Sequence, residues 1–468
     1  MKKYLCLICM GLMSLGAAMA QNVGGNTLTL TLDDAISLAL SDNPTVKVAD
    51  LEIERYDYVR KQALSSLYPQ VDASLQYSLA LRRQEMAEGL SFGGKNTFNT
   101  AASLSLPLFA PAIYEQLKLN RTQMESAVES ARATRIDMVA SVRAAYYNVL
   151  LAEQSLAVLQ EAVLTTERVV ANTKNLYDNG LASEYDYLTA QVQLSNLRPQ
   201  VLQTENAISI TKLQLKMYLS IPSDVDIEVV GTLDGFRDKV LLSEDYSRDI
   251  SDNTTLRTLD IQAQMLKHQE QLIKAARMPM VAAFGQVSYI GQERADLSAF
   301  LGGGASGGGE GTPATKAFTR AEAVASQASA SQSKFWWQCP ISLGAQVSIP
   351  LFAGFKTVNQ LREVRNQMSQ LDIQRQYAEE GIRLQVEQAI NTLITARETM
   401  LSNERTVEQA EKAYNISLTR YNAGAGTILE LNSSQLSLTQ AQLSYSQSIY
   451  DYLSAHASYE KTLGGENW

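Results

Sequence analysis

The sequence predicts a mainly α protein that also supplies strands to a membrane β-barrel, and three observations carry that expectation. Residues 112–179 contain neither glycine nor proline and residues 355–423 contain only Gly381, so each run can hold a single helix of roughly 100 Å at 1.5 Å per residue. Four stretches alternate apolar and polar side chains, a period of two that places one chemistry on each face of a strand. The whole pattern then occurs twice: SDNPTVKVADLEIE at residues 41–54 is echoed by SDNTTLRTLDIQAQ at residues 251–264, an offset of 210, and SLPLF at residues 105–109 by SIPLF at residues 348–352, an offset of 243. A tilted strand of about ten residues is long enough to cross a bilayer. Four strands are fewer than the eight of the smallest usual barrel, so several chains must contribute to one.

Residues 1–20 have the make-up of a secretory signal peptide: Lys2 and Lys3, an apolar run over residues 4–15, then Ala18-Met19-Ala20. Cys6 and Cys9 lie inside the apolar run rather than after a small-residue lipobox, which argues against lipid attachment. Cleavage before Gln21 removes Lys2 and Lys3 and takes the formal charge from −9 to −11. Of three cysteines only Cys339 then remains, which excludes a disulfide within one mature chain. The acidic balance and the lack of clustered Lys and Arg exclude nucleic acid as a partner. No later apolar run approaches the roughly 20 residues of a membrane helix.

Residues 30–68 read as the N-terminal helices of the first repeat, a short amphipathic helix over 30–44 and then a polar helical pattern stopped at Tyr68-Pro69. Residues 69–109 read as the first membrane hairpin. Val71, Ala73, Leu75, Tyr77 and Leu79 alternate with Asp72, Ser74, Gln76 and Ser78, and after a turn region holding Gly89, Gly93 and Gly94 the return strand sets Ala102, Leu104, Leu106 and Leu108 on one face. Residues 110–220 form the first helical hairpin. Alternate steps of three and four from Val128 to Thr173 land on Val128, Ala131, Met138, Val142, Ala145, Val149, Ala152, Leu156, Leu159, Val163 and Val170, a coiled-coil seam. Pro199 is expected to kink the return helix.

Residues 221–248, broken by Pro222, Gly231 and Gly235, form a small separate element with a β-prone piece at 227–230. The second repeat follows as a helix (249–278), a hairpin with a long loop (279–352) and a helical hairpin (353–463). The loop holds GGGASGGGEG at residues 302–311, a composition expected to be flexible and exposed. Phe335-Trp336-Trp337, just before the last strand, would suit an interfacial aromatic girdle. The second long helix repeats the seam at Val386, Ile390, Leu393, Met400, Val407, Tyr414, Leu418 and Tyr421.

Each long helix runs into an aromatic residue and then a glycine three positions on, Tyr177 with Gly180 and Tyr421 with Gly424, where glycine suits the left-handed helix terminus. A new helix starts at once, and Ser183 with Asp186, like Thr427 with Glu430, has capping-box spacing. Capping alone is a sufficient reason for both acids. Nothing points to an enzyme, a cofactor or a metal centre. His268 and His456 are the only histidines and stand in separate helical segments, Cys339 has no partner, and the G-x-G-x-x-G match at residues 302–307 has no βαβ unit around it.

In this order and spacing, the opening LTLDDAISLAL, the junctions SLPLFAP and SIPLFAGF, the tips YDNGLAS and YNAGAGT and the duplication itself resemble the TolC-like outer-membrane efflux proteins, or outer-membrane factors, over essentially all of the mature chain. The resemblance implies a homotrimer in the outer membrane that extends into the periplasm. Each chain would add four strands to a twelve-stranded β-barrel and four long helices to a continuous twelve-helix coiled-coil α-barrel, with residues 221–248 in an equatorial belt. It implies a passive, porin-like exit duct of a tripartite efflux or type I secretion system, coupled to a periplasmic adaptor and to an inner-membrane transporter of RND or ABC type. Adaptor docking would fall on Gly180, Leu181, Ser183, Gly424, Ala425 and Thr427, and the periplasmic entrance gate on Asp186, Tyr421 and Glu430. Ser433 and Gly426 depart from the family pattern of an acid and a base, so the salt-bridge lock of other members is not implied here. The alternative is a trimeric coiled-coil surface protein without transport, which would need neither the two strand hairpins nor a duplicated body.

Overall fold

The computed structural model describes residues 27–81, 84–87, 90–92, 95–241, 246–293 and 335–465. The expected signal peptide and the Gly-rich segment at 302–311 lie outside them. In chain order the elements are β1 (Thr27–Leu30), α1 (Leu32–Asp42), α2 (Pro44–Ser65), β2 (Gln70–Leu79), β3 (Gln84–Ala87), β4 (Leu90–Phe92), β5 (Asn96–Phe109), α3 (Pro111–Asp178), α4 (Glu184–Leu219), β6 (Asp226–Val229), α5 (Leu233–Leu241), α6 (Thr254–Ala275), β7 (Met280–Glu293), β8 (Phe335–Gln338), β9 (Ile341–Ser348), α7 (Lys356–Asn422) and α8 (Ile428–Leu463). The chain divides into two units. One takes the residues up to Arg55 with Met124–Ala263 and those from Ser369 onward; the other takes Tyr56–Gln123 and Gln264–Met368. Among the described residues no helix is long and apolar enough to cross a membrane.

The strand unit is one antiparallel sheet in the order β2-β5-β7, with β8 and β9 both on the far side of β7. Its registers keep the alternation in phase across the sheet. Val71 faces Leu104, Leu104 faces Gly285 and Gly285 faces Leu343, while on the other face Asp72, Ser103, Gln286 and Ser342 form the matching row. β2 and β9 are exposed along their whole lengths. The expected fourth strand is preceded by a short strand, β8, set off from it by Cys339-Pro340. Proline has no N–H to give to a ladder, yet the Pro340 carbonyl accepts the Ser288 N–H at 3.0 Å, so β7 stays paired across the break. The region read as a simple turn contains the additional pair β3 and β4. At one end of the apolar face the Trp337 ring covers Gly291, where an added Cβ would meet it at 2.5 Å, and stacks on Tyr289 at 4.9 Å. Tyr77 and Phe98 lie 4.8 Å apart on the same face.

In the helical unit the first correction concerns residue 30. The expected helix over 30–44 begins only at Leu32, because Thr31 caps it with Asp34 in a full capping box. That frees Thr27–Leu30 to pair in parallel with β6, about 200 residues on in sequence. Tyr146 locks this junction. Its ring is fully buried and its hydroxyl donates to the carbonyls of Leu30 (3.1 Å) and Val230 (2.5 Å); burial pushes its pKa up to about 12. Around it Val142, Val149, Leu215, Leu219, Leu233, Leu393, Ile449 and Leu453 are all buried, each aliphatic side chain contributing about 1.5–3 kcal/mol. Both predicted seams run through this core, but Val128 is 44% exposed, so within one chain the first seam begins at Ala131. Pro199 lies inside α4, which continues through it.

The repeated SDN segment has a structural reason. Asn43 is buried, its carboxamide oxygen caps α2 by accepting the Thr45 N–H at 2.8 Å, and its amide donates to the Tyr218 carbonyl at 2.7 Å. Asn253 does the same in the second repeat, accepting from Thr255 at 3.0 Å and donating to the Thr462 carbonyl at 2.8 Å. The donors are 210 residues apart and the acceptors 244, the two offsets of the duplication. Each asparagine thus fastens the start of one helix to the last turn of another. Replacing Asn253 by Asp keeps the cap but removes the donor and sets a carboxylate against a carbonyl, a loss of about 1–3 kcal/mol. The thermal unfolding midpoint of the purified variant in detergent is expected to fall, and that of Asn43→Asp with it.

Candidate functional site

The two helix-to-helix tips are built by the same backbone device. At the first, Gly180 has φ 72°; its N–H donates to Tyr177 at 2.8 Å, and the Leu181 N–H donates to Leu176 at 2.7 Å. At the second, Gly424 has φ 71°, with Gly424 donating to Tyr421 at 3.0 Å and Ala425 to Arg420 at 2.9 Å. These are Schellman motifs, which satisfy the orphan carbonyls of a helix end and need a residue with positive φ. A Cβ at either glycine would meet nothing within 4 Å. The backbone conformation alone therefore selects glycine there.

The caps that start the return helices differ, against the expectation of two equal boxes. Ser183 and Asp186 form the complete box: Ser183 Oγ accepts the Asp186 N–H (3.1 Å), and the Asp186 carboxylate accepts the Ser183 N–H (3.2 Å) and Oγ–H (2.7 Å). Thr427 accepts the Glu430 N–H at 3.2 Å, but the return bond is missing. The Glu430 carboxylate lies 3.8 Å from the Arg420 guanidinium instead. The position equivalent to Arg420 in the first tip is Leu176, which offers no charge to draw Asp186 off its cap.

Of the three expected gate residues, no two are joined by a hydrogen bond or an ion pair among those described. Tyr421 turns inward, its hydroxyl 2.9 Å from the buried Thr173 Oγ1 on α3. Leu181, Ala425 and both glycines are exposed at the tips. Behind the tips Val169, Ala190, Tyr414, Ile428 and Leu431 form a small core, and the Gln435 amide donates to Thr166 Oγ1 at 2.7 Å and to the Ala162 carbonyl at 3.1 Å. A cleft of 530 Å³ opens between α3 and α7, with Arg168, Asn172 and Tyr421 in its wall. Thr166, Thr173 and Gln435 were not singled out from the sequence. A signal existed for two of them, because Thr166 and Thr173 are polar interruptions of the apolar seam and polar seam positions specify register.

A family model for outer membrane efflux proteins matches residues 35–220 and 263–465. The chain belongs to the outer membrane efflux protein family. Similar solved structures include CusC (16% identity, 96% of each chain covered, TM-score 0.70), VceC from Vibrio cholerae (16%, 93% of this chain and 96% of that one, TM-score 0.68) and the open state of the Neisseria gonorrhoeae MtrE channel (17%, 93% and 89%, TM-score 0.66). No curated protein matches the chain. At these identities the structural likeness establishes the fold, a mainly helical, tandemly repeated channel-tunnel subunit. Members of the family are efflux channels of the outer membrane rather than enzymes.

For this efflux protein the tip geometry separates folding from whatever the tips contact. A valine forced into the left-handed conformation costs about 1–2 kcal/mol, and open space around both glycines adds no clash. Gly180→Val and Gly424→Val are expected to keep the helical circular dichroism of the parent and to lower the thermal midpoint only slightly.

Proposed function

We propose that three copies of the chain close one barrel and one helical tunnel, forming the passive exit duct of a tripartite efflux or type I secretion system. The observation that carries this reading is the open sheet: four strand positions, an apolar face exposed to its surroundings, and outer edges on β2 and on β8 with β9 that no described strand covers. In a bilayer an unpaired strand edge leaves backbone N–H and C=O groups with no partner, each at a cost of several kcal/mol, so only closure is tolerated. Three copies reach twelve strands, which encloses a bore. Outer-membrane lipid then covers Val71, Leu104, Leu343 and their row mates.

On this reading the tips meet a periplasmic adaptor through Gly180, Leu181, Ser183, Gly424, Ala425 and Thr427, the adaptor couples the duct to an inner-membrane transporter of RND or ABC type, and Asp186, Tyr421 and Glu430 line the entrance. The small core behind the tips supports it, since Ile428 and Leu431 pack into it just past the second tip while Leu181 at the first is left 76% exposed. The purified protein is expected to run as a trimer in detergent and to insert conducting pores in planar bilayers; a monomeric mass, or repeated insertions without conductance, would overturn the reading. Gly180→Val and Gly424→Val are expected to reach the outer membrane as trimers and to abolish the drug resistance the parent confers on an efflux-deficient host carrying its own adaptor and pump. Resistance that persists in both variants would remove the docking assignment.

A further inference from the structure

We propose that Asp72 is the charge-selecting residue of the barrel bore, a role that rests on the trimeric channel reading above. The registers sort every described strand residue onto one of two faces. The polar residues of the face opposite the apolar one are Gln70, Asp72, Ser74, Gln76 and Ser78 on β2, Thr97, Asn99, Ser103 and Ser105 across from them on β5, Gln286, Ser288 and Gln292 on β7 and Gln338, Ser342, Gln346 and Ser348 on β8 and β9, set among Ala101, Met280, Ala282, Phe284, Ile290, Trp336 and Gly344. With lipid on the apolar side, this face lines the water. Hydroxyls and carboxamides make up nearly all of its polar groups. Asp72 is its one ionisable side chain among the described strand residues: it is exposed, and its row mates Ser103, Gln286 and Ser342 are neutral. Lys95 lies beyond the strand at the opposite end of β2, about 26 Å away at 3.3 Å per residue.

Asp72 follows α2 by few residues, so three copies set a ring of three carboxylates where the bore meets the helices. A twelve-stranded barrel has a backbone radius of about 12 Å at ordinary strand spacing and tilt, and side chains reach inward from it. At 0.1 M salt the Debye length is about 10 Å, so the axis lies within reach of all three charges; at 1 M it shrinks to about 3 Å and the ring is screened from the axis. Among the described strand residues no other charge on that face opposes this field. The ring favours cations and cationic solutes over anions of the same size, and repels anionic ones, independently of any charge at the periplasmic tips.

The test is the reversal potential of single trimeric channels in a salt gradient, measured at about 0.1 M and at about 1 M mean concentration. The parent is expected to prefer cations at low salt and to lose most of that preference at high salt. Asp72→Asn is expected to lower the low-salt cation-to-anion permeability ratio by about twofold or more, with conductance at high salt unchanged. Adding Ser103→Asp, which returns a carboxylate to the same row on the neighbouring strand, is expected to restore the ratio; a structural role of Asp72 would not be rescued that way. Asp186→Asn with Glu430→Gln serves as the comparison at the helix tips, and it is expected to leave the Asp72-dependent part of the selectivity in place. Unchanged selectivity in a conducting Asp72→Asn trimer, or failure of Ser103→Asp to restore it, overturns the proposal. If Asp72→Asn does not assemble, Ser103→Lys in the parent gives the same reading, expected to cancel the preference and overturning the proposal if it does not. A parent without trimers or pores would instead overturn the channel reading on which this one rests.

Discussion

Strand closure is the constraint on which the rest of this protein depends. No described strand covers the two outer edges of the sheet, and its apolar face is exposed, an arrangement that water would not tolerate and that lipid tolerates only when every backbone group is paired. Registers that hold Val71, Leu104 and Leu343 in one row and Asp72, Ser103 and Ser342 in the next follow from it. A slip of one residue would send serines and Asp72 onto the apolar face. Pro340 is accepted because the break it causes falls where β7 can still donate to its carbonyl.

Duplication supplied two copies of each part, and they have diverged in proportion to what each one touches. The Asn43 and Asn253 clamps are alike in acceptor, donor and burial, since each solves the same problem of fastening a helix start to a helix end. Tip glycines are alike too, because the Schellman backbone leaves no other option without strain. Side chains around the tips are not alike. Tyr187 stacks on Tyr177 with rings 6.0 Å apart, whereas its counterpart Leu431, 244 residues on, is fully buried in the core behind both tips. At the second tip Arg420 stands in place of Leu176, and the Glu430 carboxylate lies beside its guanidinium instead of closing the capping box.

Polar groups inside the helical unit follow the same economy. Thr166 and Thr173 interrupt the first seam, and each meets a partner on another helix: Gln435 of α8 finds Thr166, and Tyr421 of α7 finds Thr173. Buried polar contacts of this kind contribute little net stability but make the wrong register costly, because a shifted helix would leave them unpaired. Arg237 plays a related part for residues 221–248: it pairs within α5 with Asp234 (3.0 Å) and reaches α7 through an ion pair to Glu404 (3.4 Å) and α8 through a hydrogen bond to the Tyr445 hydroxyl.

Local chemistry made much of this protein legible from its residues. The period-two strands, the long glycine-free helices, the tip glycines and the repeat are each set by a few neighbouring positions. So were Ser183 and Asp186 as a cap, because a capping box spans only four residues. What the sequence did not disclose depends on partners hundreds of residues away: the pairing of Thr27–Leu30 with β6, the Tyr146 hydroxyl that joins them, the carbonyls at Tyr218 and Thr462 that give SDN its meaning, and the turn of Glu430 towards Arg420. Periodicity says that a face is apolar but not what will cover it, which is why Val128 reads as seam and is exposed. Only the tertiary structure decides which of two equivalent side chains is buried, since burial belongs to the pair of surfaces and not to either stretch of chain.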